Sequence, residues 1–112
     1  MAYGLRLVPD LLRTSAFGAI GAGYTAVGTV FLHPMRIVSI KNLTDESLLF
    51  SFDGINDHEI VSGQSGIVWD FCANKYGDAG AVIGAGTTIY VKQSGVPTTG
   101  SVYISAFYGF GE

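Results

Sequence analysis

Beyond Pro34 the chain alternates short apolar runs with clusters of turn residues, a texture that predicts strands rather than helices. Arg36–Lys41 reads as a strand closed by the polar turn 42–46. In the next run, 47–52, Leu48, Phe50 and Phe52 share one face by the period of two that a pleated strand imposes. Asp53-Gly54 makes a turn, 59–61 a short strand and 62–66 another turn. The run 67–71 sets Ile67, Trp69 and Phe71 on one side and Val68 and Asp70 on the other. A glycine- and alanine-rich connection follows over 73–86, with one helical turn expected near Ala79–Val82. Thr87–Lys92 and Ser101–Tyr108 are the last two strands, separated by the loop 93–100. In the final strand Val102, Ile104 and Ala106 lie opposite Tyr103, Ser105 and Phe107. Strands this short, with turns every eight to twelve residues or so, predict an all-β fold: an antiparallel β-sandwich, jelly-roll-like or immunoglobulin-like. Sequential hairpins are expected to pair 47–52 with 58–62 and 87–92 with 101–108.

Ahead of Pro34 the pattern changes. Thr14–Met35 holds no charged side chain over 22 residues, long enough to cross a bilayer as a helix. Its content opposes that reading. Gly18, Gly21, Gly23 and Gly28 each cost about 1 kcal/mol inside a helix, and Tyr24–Leu32 is β-branched and aromatic enough to suit a strand. No small-x-small cleavage site follows a leucine-rich core, so an exported or membrane-anchored protein is the minor alternative. Residues 1–34 are read as an extended N-terminal arm, with 35–112 as the sandwich domain. Phe17, Ile20, Tyr24, Val27, Val30 and Phe31 of the arm are the expected partner contacts.

Composition points the same way. Of the 112 residues 48% are hydrophobic and only 13% charged, against about 25% in average soluble domains. One domain of this size buries about two-thirds of its surface, so apolar area is left over for contacts with other subunits. The net charge is −3, and Arg6, Arg13, Arg36, Lys41, Lys75 and Lys92 are scattered, so no basic stripe exists for nucleic acid. The single cysteine, Cys72, sits in an apolar run and reads as a small buried hydrophobe.

Each apparent chemical motif fails on context. Gly21-Ala22-Gly23-Tyr24-Thr25-Ala26 fits a dinucleotide-binding fingerprint in letters, but that motif needs a following helix, and none is predicted. Asp53–Glu59 gathers three carboxylates and His58, without the glycine placement of a calcium loop; it reads as a solvated turn. His33, His58 and Cys72 do not have the spacing of a zinc site. No nucleophile elbow is present. Asn42-Leu43-Thr44 matches a glycosylation sequon, relevant only to secretion in a eukaryote. No enzyme activity, cofactor, metal or small-molecule substrate is expected. Tyr103, Phe107, Tyr108 and Phe110 suit packing, or else the stacking of a sugar.

Several segments together carry a resemblance. They are Tyr24-x-x-Val27-Gly28-Thr29-x-x-x-His33-Pro34, the segment 36–44, Ser51-Phe52-Asp53-Gly54-Ile55-Asn56-Asp57-His58, the segment 85–92, and Thr99-Gly100 running into 101–108. In that order, over Tyr24–Tyr108, the chain resembles small virion structural proteins of tailed bacteriophages. The resemblance implies a β-sandwich repeated around a ring, tube or capsid lattice, at the head–tail connection, in the tail or as capsid decoration. It implies assembly in the bacterial cytoplasm and partners that are copies of the chain and other virion proteins, with no membrane. A carbohydrate-binding β-module for host attachment, using exposed aromatics around Trp69 or Tyr103–Tyr108, is the alternative of a different class.

Overall fold

The computed structural model describes residues 6–71 and 82–112. Cys72 and nearly all of the turn expected at 79–82 lie outside the described residues. In chain order the elements are β1 (Leu7–Pro9), β2 (Arg13–Ala16), a 3-10 turn (Phe17–Ala19), β3 (Thr25–Ala26), β4 (Met35–Asn42), β5 (Leu48–Ser51), β6 (Glu59–Val61), β7 (Ser65–Asp70), β8 (Tyr90–Gln93) and β9 (Ser101–Gly109). They form two antiparallel sheets packed as a sandwich. One sheet runs β1/β2–β9–β4–β7 and the other β3–β8–β5–β6. The all-β sandwich expected from the alternation is therefore the fold.

The alternation also places the core. Val102, Ile104 and Ala106 of β9, Val38 and Ile40 of β4, Leu48 and Phe50 of β5 and Val91 of β8 are buried between the sheets. The expected hairpin of β5 with β6 is present, pairing Leu48 with Val61 and Phe50 with Glu59. The other expected hairpin is not. β8 is flanked by β3 and β5, while β9 lies in the opposite sheet between β4 and the β1/β2 edge. The loop 94–100 thus crosses between the layers instead of turning back within one, because both edges of β8 are already taken.

The structure also draws the domain boundary differently. β1 and β2 pair with β9, β3 pairs with β8, and Ile20, Val27 and Phe31 are core residues of this same chain. Residues 7–31 belong to the sandwich and are not an arm reaching outward. The physical reason is that β8 and β9 each leave one edge for this segment, and its uncharged side chains fill space under those edges. Among the described residues no helix is long and apolar enough to cross a membrane.

Candidate assembly surface

The edge formed by β1 and β2 is one strand interrupted by a bulge. The Asp10 N–H donates to the Ala106 carbonyl at 2.8 Å, and β2 resumes with Arg13 opposite Ile104. Leu11 and Leu12 therefore both face the single residue Ser105. Two residues against one is the count of a β-bulge, which re-aims side chains at sheet edges. Here the two leucines, 62% and 57% exposed, end on the outside.

Resuming the strand after the bulge turns Arg13 inward, where it is 4% exposed. Its guanidinium clamps two loops. Nε donates to the Thr29 carbonyl (2.7 Å), Nη2 to the Val30 carbonyl (3.3 Å), and Nη1 to both Asp10 Oδ2 (2.9 Å) and the Leu11 carbonyl (3.2 Å). Its plane of charge also sits 4.6 Å from the Phe31 ring centroid. Gly28 makes this possible. It has φ of +69°, and a Cβ there would lie 2.7 Å from Arg13 Cγ. One buried arginine thus holds the bulge against loop 28–32, which exposes Val30 and, at 78%, Leu32.

The surface continues along β1 into a groove of about 640 Å³ lined by Leu7, Val8, Pro9, His33, Tyr108 and Phe110 among others. Its far wall is fixed by charge. Arg36 binds the Glu112 carboxylate through two nitrogens, at 2.8 and 2.6 Å, which holds that carboxyl below its usual range. The His33 ring stacks on Tyr108 with centroids 3.9 Å apart, and Nδ1 donates to the Glu112 carbonyl. The Arg6 guanidinium covers the Phe110 ring at 4.2 Å. The result is an apolar groove with Arg6 and Arg36 held at its margins.

The expected contact residues divide. Ile20, Val27 and Phe31 are 5%, 0% and 1% exposed, so they hold this chain together and do not face a partner. Phe17 and Val30 do reach solvent. Tyr24 lies half-buried on the far sheet, its hydroxyl donating to Asp57 and Lys92 Nζ sitting 4.7 Å from its ring centroid. Burial first, then the Asp57 bond and charge, push the Tyr24 hydroxyl up to about 12. Leu11, Leu12 and Leu32 were not singled out by alternation. The one local signal was a Leu-Leu pair, in which strict alternation must leave one side chain outside.

The remaining motifs resolve as structure. The glycine run 21–26 leads into the strand Thr25–Ala26, not a helix. Asp53 accepts hydrogen bonds from the Asn56 and Ile55 amides, Ser51 Oγ and Asn56 Nδ2, which hold its carboxyl far below the ordinary value. Its oxygens serve its own turn. His58 Nδ1 accepts from the Phe52 N–H, and among the described residues no three His, Cys, Asp or Glu side chains are grouped to hold a metal. Asn42 of the sequon is fully buried: Nδ2 donates to the Glu46 and Val61 carbonyls, and Oδ1 accepts from the Thr44 N–H and Oγ1. Trp69 is half-buried, edge-on to Phe52 at 5.6 Å. No family model, curated protein or solved structure matches the chain.

Proposed function

We propose that this chain is a structural component of a tailed bacteriophage virion, working by packing against copies of itself and other virion proteins rather than by chemistry. The carrying observation is the surface at the bulge: Leu11, Leu12, Val30 and Leu32 exposed on two loops that one buried arginine holds in place. Preorganised loops lose little freedom on docking, so the apolar area they cover, at about 25 cal/mol per Å², is retained as binding energy. The low charged fraction and the phage-like segments over Tyr24–Tyr108 supply the setting.

The test is incorporation into particles. Leu11→Ser with Leu12→Ser, made in the full chain and produced from a phage genome, is expected to fold like the parent and be missing from purified virions by mass spectrometry. Wild-type copy number for the double variant would refute the docking surface, and absence of the wild-type chain from virions would refute the setting.

A further inference from the structure

A sandwich has open sheet edges, and natural sheets blunt them with short strands, prolines, charges or bulges. Among the described residues, three of the four sheet edges are blunted in that way. β3 is two residues long, β6 is three with Glu59 at its start, and the β1/β2 edge carries Pro9 and the bulge. β7 is different. Ser65-Gly66-Ile67-Val68-Trp69-Asp70 runs six residues without proline, lysine or arginine. The Phe71 N–H donates to the Arg36 carbonyl at 2.7 Å, which fixes the phase of the ladder with β4. The odd-numbered residues therefore turn their amides toward β4, while Gly66 and Val68 turn theirs outward. Among the described residues the outward amides of Gly66 and Val68 have no backbone partner.

We propose that two copies of this chain pair β7 against β7, antiparallel about Val68, so that one sheet continues across a dimer. The centre follows from the strand's own limits. Gln64 has φ of +60° and ends the extended run, so matching every residue from Ser65 to Phe71 places Val68 opposite the partner's Val68. In that register the outward amide and carbonyl of Val68 meet their own counterparts. Ile67 then faces the partner's Trp69, and the reverse. Both side chains are only half-buried at this margin of the sandwich, and an aromatic beside a β-branched residue is a favourable cross-strand pair. Val68, 60% exposed in the monomer, is covered.

Charge agrees with the same register. Gly66 falls opposite the partner's Asp70, and on the other side of Gly66 stands Lys41 of β4. The Lys41 side chain already leans over Gly66, its Cγ 3.4 Å from where a Cβ would stand. Two strand spacings, about 10 Å, separate Lys41 from the partner's Asp70, within reach of the two side chains. Asp70 has an intrachain partner of its own, and a carboxylate with about four lone-pair sites accepts a second. The two like-charged Asp70 residues sit about 13 Å apart along the ladder, beyond the screening length at physiological salt. The pairing rests neither on the virion reading nor on the bulge surface.

A single strand pair is an interface at the small end, so the test spans about 5 to 500 µM of the full chain by sedimentation equilibrium. The mass is expected to rise from 11.8 kDa toward twice that value. Val68→Lys sets two ammonium groups face to face and is expected to stay at 11.8 kDa throughout, with circular dichroism and Tm near the parent's because the site is exposed. Val68→Cys reads the register directly. Facing Cα atoms about 5.5 Å apart suit a disulfide, so mild oxidation is expected to give a covalent dimer that the parent, with Cys72 alone, does not form. The proposal is overturned by a parent that stays monomeric to the highest concentration, or by Val68→Lys associating like the parent. Val68→Cys cross-linking no faster than the parent overturns it too. So does a dimer lost on Leu11→Ser with Leu12→Ser but kept in Val68→Lys, which would place self-association at the bulge.

Discussion

Replacing Arg13 with methionine is expected to destabilise this protein by about 3 kcal/mol, far more than the roughly 0.5 kcal/mol of an ordinary surface substitution. Breaking one side of a buried ion pair costs about 3–5 kcal/mol when the surviving charge stays dry. Here the surviving Asp10 side chain is 17% accessible against 3% for Arg13, so water recovers part of the loss and the lower end applies. The Thr29, Val30 and Leu11 carbonyls also lose a charged donor, each worth about 1 kcal/mol where water does not replace it. Methionine keeps apolar contact with the Phe31 ring, which limits the cavity. For a chain of this length about 3 kcal/mol lowers Tm by about 12 °C. Urea unfolding is the assay, with a shifted midpoint at constant slope. Hydrogen exchange supplies the location: the Phe31 amide, bonded to the Thr87 carbonyl at 2.8 Å, is expected to exchange faster. Arg13→Lys keeps the charge without the fork and is expected to recover only part of the loss. A midpoint for Arg13→Met within about 0.5 kcal/mol of the parent would refute the clamp.

Asn42→Ala strands the Val61 and Glu46 carbonyls and the Thr44 amide, and is expected to cost about 3 kcal/mol by urea unfolding; a change below about 1 kcal/mol would contradict it. Gly28→Ala forces a methyl into Arg13 at a positive φ and is expected to lower Tm, with faster exchange at Phe31; an unchanged Tm would argue against the close approach. Deleting residues 1–34 removes β1–β3 and the core side chains Ile20, Val27 and Phe31, so the remainder is expected to be unfolded or molten; a well-dispersed amide spectrum would refute that. Hydrogen bonds lower the Asp45, Asp53, Asp57 and Glu112 carboxyls, from Thr98, the Asn56 amide, Tyr24 and Arg36 respectively. Groups lowered on folding contribute stability above their unfolded values near 4 that is lost as pH falls below them, so the urea midpoint should drop between about pH 5 and pH 2. Tyr24, raised to about 12, works in the opposite sense and loses its contribution as pH rises from about 10 toward that value. A midpoint flat down to about pH 2 would contradict the acid half.

Period-two alternation was enough to identify the strands after Pro34 and their buried faces, but not β1 and β2, which it left inside an arm. Leu48 with Phe50, and Val102 with Ile104 and Ala106, follow from the pleat of a single strand, a property of local backbone geometry. The dinucleotide-like glycine run was legible for the same reason: the fingerprint needs a following helix, and the run leads into β3 instead. What a strand pairs with is another matter. β8 and β9 are neighbours in sequence, yet they sit in opposite sheets because β3 and β5 occupy both edges of β8. The uncharged stretch before Pro34 suits a partner's surface by composition, and it covers this chain's own core; composition states that apolar surface needs burial, not where. The bulge is a mismatch in count between Asp10–Arg13 and Ile104–Ala106, segments far apart in the chain, so no local pattern contains it. Arg13 likewise looks like any scattered surface charge until that mismatch turns it inward, where two loops supply its partners. Local alternation thus carries the strands beyond Pro34 and their apolar faces, because it depends only on the pleat of each strand. Which strands become neighbours, and with that which apolar side chains stay exposed, depends on pairing between segments far apart in the chain.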